Sequence, residues 1–198
     1  IPVLGLLGIQ VYRASQVPPE TPKAIVTIPE GSRVIDINKI LRDKGVLTDE
    51  EGFSEDEEGY LFPDTYEFFL PSSIDVVREK FQDNLQTKID GVLPEEGGNL
   101  QDILNIASLV EKEVIGYEDK RIVAGIIIKR LKNGIPLQID ASICYIKKTK
   151  CLPISKSDKE IDSPYNTYKY RGLPPGPISN PGIDSIRASI APAESPYL

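Results

Sequence analysis

Residues 106–114, IASLVEKEV, decide how this chain is read. At about 100° per residue, Ile103, Ala107, Val110 and Val114 share a narrow arc, the stripe that a helix turns toward a core. Lys112 falls opposite that stripe and is expected in solvent. Glu111 and Glu113 fall on its two flanks, roughly 80° from the centre on either side, which makes direct contact between them unexpected. A carboxylate at such a boundary is partly desolvated, and desolvation raises its pKa toward the range of a general acid. The same spacing fits two solvated glutamates beside a core stripe, so periodicity alone does not choose between acid and surface.

Working outward, the helix holding this stretch covers 100–114 and a second covers 119–133, with Gly134 as its stop signal. Residues 75–89 are amphipathic, with Val76, Val77, Phe81 and Leu85 on one side. Residues 35–44 place Ile37, Ile40 and Leu41 at helical spacing ahead of Gly45, and 183–190 form a final helix. The β-branched run 24–28 reads as a strand. The aromatic block 59–70, broken by Pro63-Asp64, reads as extended chain or two short strands. Residues 137–146 fit strand or helix equally. The stretch 48–58 holds seven acidic residues and one large apolar side chain, Phe53, as a solvated connection would. Helices with a few scattered strands make an α+β chain.

Composition narrows the chemistry. In 198 residues, 40% apolar and 27% charged, there is enough to bury a core. Thirty acidic against twenty-three basic residues leave a net charge of −7. Without a basic stripe, nucleic acid is not the expected partner. The absence of histidine excludes Ser-His-Asp and Cys-His catalysis and any His-ligated metal. An enzyme here would draw its acid or base from Asp, Glu, Lys, Tyr or Cys. Cys144 and Cys151 cannot make a four-cysteine zinc site. They fit a disulfide across a short loop or two free thiols in an apolar cluster.

Residues 1–12, IPVLGLLGIQVY, carry no charge and cover only about 18 Å as a helix, against a hydrocarbon core of about 30 Å. They read as the outer end of a membrane anchor or as an ordinary strand or packed arm. The proline-rich 17–22 follows as a linker. Toward the other end, SPYNTY (163–168) and GLPPGPISNPG (172–182) form a long loop stiffened by proline. It carries Tyr165, Asn166, Tyr168 and Asn180, and aromatic faces with amides suit a sugar groove.

Four blocks then carry a family resemblance: EGYLFPDTYEF (58–68), ASLVEKE (107–113), RLKNGIPLQID (130–140), and SPYNTY with GLPPGPISNPG. In this order they resemble the MltG, or YceG-like, family of peptidoglycan lytic transglycosylases. Residues 24–48 are similar to that family's LysM-like module, abbreviated here. The resemblance implies an anchor and linker over 1–23, a LysM-like module and acidic connection over 24–57, and a catalytic domain over 58–198. It also implies more chain between 48 and 58, and further strands after 198, than this sequence has.

The implied activity is endolytic cleavage of the MurNAc-β-1,4-GlcNAc bond to leave a 1,6-anhydro end. One glutamate serves, without metal or cofactor, in a domain held outside the cytoplasmic membrane by a single N-terminal span. The resemblance maps the catalytic residue to Glu113, with Glu111 as second choice. Tyr165, Asn166, Gln138 and Asp140 become residues for sugar contact or for positioning the glutamate. Tyr168, Asn180, Glu58 and Asp64 complete the expected substrate-binding set. Glycan strands are the expected partner, with cell-wall synthesis proteins as further ones. The readings that compete are a glycan-binding module without catalysis, and a scaffold using the aromatic block as an interface.

Overall fold

The computed structural model describes residues 21–93, 98–149 and 153–196. The anchor and most of the linker expected over 1–23 lie outside them, as does Cys151; Cys144 is disulfide-bonded. Among the described residues there are two strands, β1 (Lys23–Thr27) and β2 (Thr65–Phe69). There are six α-helices: α1 (Val34–Asp43), α2 (Ile74–Ile89), α3 (Leu100–Glu113), α4 (Tyr117–Lys132), α5 (Asp140–Lys147) and α6 (Ile183–Ile190). The chain is α+β, as its patterning implies.

β1 and β2 pair antiparallel, with Val26 opposite Tyr66 and Ala24 opposite Phe68. Alternation along β2 turns Tyr66 and Phe68 inward, where they meet Phe81 of α2 and the buried Ile37 and Leu41 of α1. This core takes residues from both sides of position 57: Val26, Val34 and Phe53 pack in one cluster with Leu61, Phe68 and Val77. The strand–helix unit β1–α1 therefore closes its sheet on the aromatic block rather than on itself.

α3 is the axis of the remainder. Its residues from Ile103 through Val110 are all buried, so the narrow stripe read from sequence is in fact a helix covered on every side. One face meets α2 and α6 through Leu85, Ile89, Leu104, Ala107 and Ile186. Another meets α4 and the 135–139 segment through Leu109, Val110, Ala124, Ile127 and Leu137. Periodicity reports one apolar arc. It cannot report that polar side chains such as Ser108 and Asn105 are packed against a loop. Here Ser108 Oγ accepts from Ile178 N–H at 3.0 Å, and Asn105 donates to Pro174 O at 2.7 Å. These bonds fix the proline-rich loop along α3.

The ambiguous stretch 137–146 resolves into an extended approach followed by α5. Gln138 takes a left-handed backbone (φ 56°) at that bend, held by its N–H to Thr167 O at 2.9 Å. The aromatic block is a turn leading into one strand, β2.

Candidate active site

α3 ends at Glu113 because Val114 is fully extended and Gly116 turns at φ 94°. The helix thus delivers Glu113 at its C-terminal end, where the helix dipole disfavours added negative charge. Facing it is the start of α5, so that Asp140 and Ala141 adjoin the glutamate. Glu113 and Asp140 line a cavity of about 620 Å³ with Arg33, Asp36, Lys112, Tyr145 and Ile178. Burial pushes the Glu113 carboxyl above its ordinary value, the Asp140 charge adds to this, and the Ala141 N–H pulls the other way. Asp140 is oriented by the Tyr168 hydroxyl, which donates to Oδ1. Lys159 lies over the Tyr168 ring, 4.2 Å from its centroid.

Glu111 does something else. Its Oε2 accepts from Gly182 N–H at 3.0 Å and Ser185 Oγ at 2.6 Å, at the start of α6. It also pairs with Lys120 of α4 at 3.2 Å, and both side chains are below a tenth exposed. Glu111 is a buried strut joining α3, α4 and α6, with its oxygens committed. The flank geometry read from sequence places the two carboxylates on different sides, and their partners are indeed disjoint.

Asn166 and Asn180 are both fully buried. Asn166 donates to Lys159 O and Ile161 O and accepts from Tyr168 N–H and Lys169 N–H. Asn180 accepts from Gly59 N–H and Leu61 N–H, each at 2.9 Å, and donates to Ser32 O and Glu58. Their amides are spent on loops of the protein itself. Glu58 is buried, does not line the Glu113 cavity, accepts from Val34 N–H at 3.1 Å, and is pushed up to about 7 by burial. Asp64 lies away from Glu113, bridging the start of β2 to Asn84 and Lys88 of α2. Gln138 is exposed, two positions before Asp140, and does not line the Glu113 cavity.

Tyr165 packs on Tyr145, ring centroids 4.9 Å apart. Tyr145 walls both the Glu113 cavity and a second one of about 610 Å³, which also touches Tyr60, Gln101, Tyr165 and Pro177. Sequence reading missed Tyr145, Arg33, Asp36 and Lys112. Tyr145 fell in the stretch whose period was ambiguous. Arg33 and Asp36 look like an ordinary helix start, and only the fold carries α1 to the end of α3.

The profile of the YceG-like family matches residues 10–198. The chain belongs to that family. A Bacillus subtilis protein named endolytic murein transglycosylase is 37% identical over 145 residues, covering 71% of this chain and 40% of that protein. One of the same name from Streptococcus pneumoniae (strain D39) is 37% identical over 150 residues, covering 71% of this chain and 27% of that one. The chain thus spans well under half the length of the curated relatives it matches. The crystal structure of a yceG-like protein from Listeria monocytogenes superposes with a TM-score of 0.75 at 27% identity, covering 87% of this chain and 67% of that one.

Proposed function

We propose that this YceG-like chain carries the active centre of an endolytic peptidoglycan lytic transglycosylase, with Glu113 as its acid and then its base. The observation that carries this reading is the contrast between the two glutamates of α3. Glu113 opens on a cavity with its carboxyl held up by burial and Asp140, whereas Glu111 is spent on Lys120, Ser185 and Gly182. The relatives' names support the substrate class.

In this mechanism protonated Glu113 gives its proton to the oxygen of the MurNAc-β-1,4-GlcNAc bond. The bond from MurNAc C1 breaks, its electron pair stays with the GlcNAc oxygen, and positive charge builds on C1. The C6 hydroxyl of the same muramyl residue attacks C1 and returns its proton to Glu113. No water is consumed, and a 1,6-anhydro end results. A nucleophile already inside the substrate supplies the proximity that other glycosidases obtain from a second carboxylate. Asp140 keeps the proton on Glu113 before the step and offsets the positive charge that develops. Tyr145, which walls both cavities, and Tyr165 in the second offer ring faces to sugars, and two cavities sharing a wall suit a strand held on several sugars.

The strand–helix unit over 24–57 is proposed as the abbreviated LysM-like element. Its contribution is to bring Arg33 and Asp36 to the cavity. No helix among the described residues is long and apolar enough to cross a membrane. The extracytoplasmic placement on a single N-terminal span remains part of the proposal. Digestion of purified glycan strands, read by mass spectrometry, tests the whole reading. Internal fragments with 1,6-anhydro ends, lost in Glu113→Gln, are the expected result; binding without cleavage by the intact protein leaves a glycan-binding module instead.

A further inference from the structure

In a chain of net charge −7, the Glu113 cavity holds two cations, Arg33 and Lys112. Lys112 leaves the end of α3 and donates through Nζ to Gly31 O at 3.1 Å. A carbonyl oxygen satisfies a hydrogen bond without cancelling the charge, and no carboxylate among the described residues lies within ion-pair distance of Lys112. Arg33, two positions after Gly31, donates to Asp36 Oδ2 through its backbone N–H at 3.1 Å and through its side-chain Nε at 3.5 Å. Its two terminal nitrogens have no hydrogen-bond partner among the described residues. Other carboxylates near this corner are engaged or turned to other work. Glu58 is held by Val34 N–H and Asn180, and Asp140 takes the Tyr168 hydroxyl.

The corner is held in place. Gly31 N–H donates to Asn180 O and Asn180 N–H to Ser32 O, both at 2.9 Å, which ties the turn to the proline-rich loop. Gly31 has φ 72°, a left-handed turn that glycine adopts without strain. The cavity lining carries both signs, with Asp36, Glu113 and Asp140 beside Arg33 and Lys112. Glu113 and Asp140 form an acidic end, and burial with the Asp140 charge keeps the Glu113 carboxyl up even with two cations in the same cavity. Arg33, with Asp36 at its Nε, still offers its two terminal nitrogens, and Lys112 brings an ammonium that no carboxylate among the described residues pairs. Preset donors of this kind bind an anion with little ordering cost.

We propose that Arg33 and Lys112 form a carboxylate-recognition subsite of the Glu113 cavity, which takes an acidic substituent of the glycan. The shared chemistry is a carboxylate on or near the muramyl 3-position, either the free lactyl group or a carboxylate of an attached stem peptide. The inference rests on the glycan-cleaving reading of the cavity. It adds that this enzyme tells an acidic strand from a neutral one through a residue delivered by α1.

The test uses the full chain and three preparations of one glycan: peptide-bearing, peptide-free with the lactyl carboxylate exposed, and peptide-free with those carboxylates converted to amides. Steady-state cleavage is measured for the wild type, Arg33→Gln and Lys112→Gln, and binding by calorimetry in the Glu113→Gln background. Each cation variant is expected to raise KM, and to weaken binding, about tenfold on an acidic strand, as loss of a charge-assisted contact does. The amidated strand is expected to bind the wild type about as weakly as the acidic strand binds the variants. Rising salt should erase the wild type's preference. An effect confined to the peptide-free acid names the lactyl group; one confined to the peptide-bearing strand names the peptide. Equal losses on all three preparations, or none, overturn the subsite. Undiminished cleavage by Glu113→Gln overturns the catalytic reading instead, so the two failures are distinct.

Discussion

The side-chain amide of Asn180 donates to Oε1 of Glu58 at 2.7 Å, and both side chains are buried. Through this contact the proline-rich loop, the turn before the aromatic block and the start of α1 converge, because Glu58 also receives Val34 N–H and Asn180 also grips Gly59 and Leu61. The two residues are 122 positions apart, and Glu58 shares a small pocket of about 30 Å³ with Arg33 and Tyr145, both of which also line the Glu113 cavity.

A carboxyl in that position makes stability depend on pH. Burial raises Glu58 to about 7 from an ordinary 4.5, so the folded protein holds this proton over a range where the unfolded chain releases it. The stabilising contribution is complete below about 4.5 and is lost as pH rises through about 7. It amounts to at most about 3 kcal/mol. Glu58→Gln keeps an acceptor for Asn180 and Val34 without the charge. It should match the wild type in denaturant melts at pH 5 and exceed it at pH 8; parallel pH profiles would refute this.

Glu111 and Glu113 should separate folding from chemistry. Glu111→Ala strands the buried Lys120 ammonium and leaves the start of α6 without its acceptor. A cost of about 3–5 kcal/mol is expected, read as a large fall in Tm. Glu113→Gln touches no buried pair, so its Tm should stay near wild type while cleavage falls by about 10²–10⁴. A variant of Glu111 that folds as well as wild type would remove the strut assignment.

Asp140→Asn tests the electrostatic partner of the acid. Because the Asp140 charge raises Glu113, its removal should shift the alkaline limb of the rate profile to lower pH. At alkaline pH the variant loses activity first, and at acid pH it recovers part of it. A limb that stays in place or moves upward would mean that Asp140 acts on substrate alone.

How far the sequence revealed this arrangement depends on the range of the interaction involved. The helices over 75–89, 100–114 and 183–190 are local patterns and are found within a residue or so of their observed ends. The boundary position of Glu113 is local too, since it follows from helical angle. What escaped is what the fold alone brings together. Arg33 reaches the end of α3 only because β1 pairs with β2 and Asn180 fastens Gly31. The full burial of α3 escaped as well, because the proline-rich loop that covers Ser108 and Asn105, bonding Ser108 Oγ and Asn105 Nδ2, is about 70 residues away in sequence. Asn166 and Asn180 have the composition of sugar ligands. Only their saturated hydrogen bonds reveal them as braces.

Gly59 offers a test of the loop contact behind the site. It sits at φ 89°, and a Cβ there would come within 2.4 Å of the Pro177 ring. Gly59→Ala thus combines left-handed strain with a clash against a ring that cannot rotate away, and a loss of about 2–3 kcal/mol is expected. Because the Asn180 bond to Gly59 N–H is lost with any shift of this turn, cleavage should fall further than the melt alone accounts for. Activity that merely tracks the folded fraction would separate this turn from the site.

Gln138 is a non-glycine residue in a left-handed backbone, at a cost of about 1 kcal/mol. The conformation persists because both neighbours are buried and Thr167 clamps the bend, its carbonyl to Gln138 N–H and its hydroxyl to Ile139 N–H, each at 2.9 Å. Glycine would relieve that strain, so an exposed glutamine held there points to use of its side chain. Gln138→Ala keeps the backbone cost and removes only the amide. Its Tm should remain within a degree or two of wild type, while KM for glycan strands rises several-fold. Gln138→Gly, which frees the backbone as well, should match or exceed the alanine variant in KM. If both variants cleave like the wild type, the amide does not meet the sugar, and the strain at 138 serves only to aim Asp140 at Glu113.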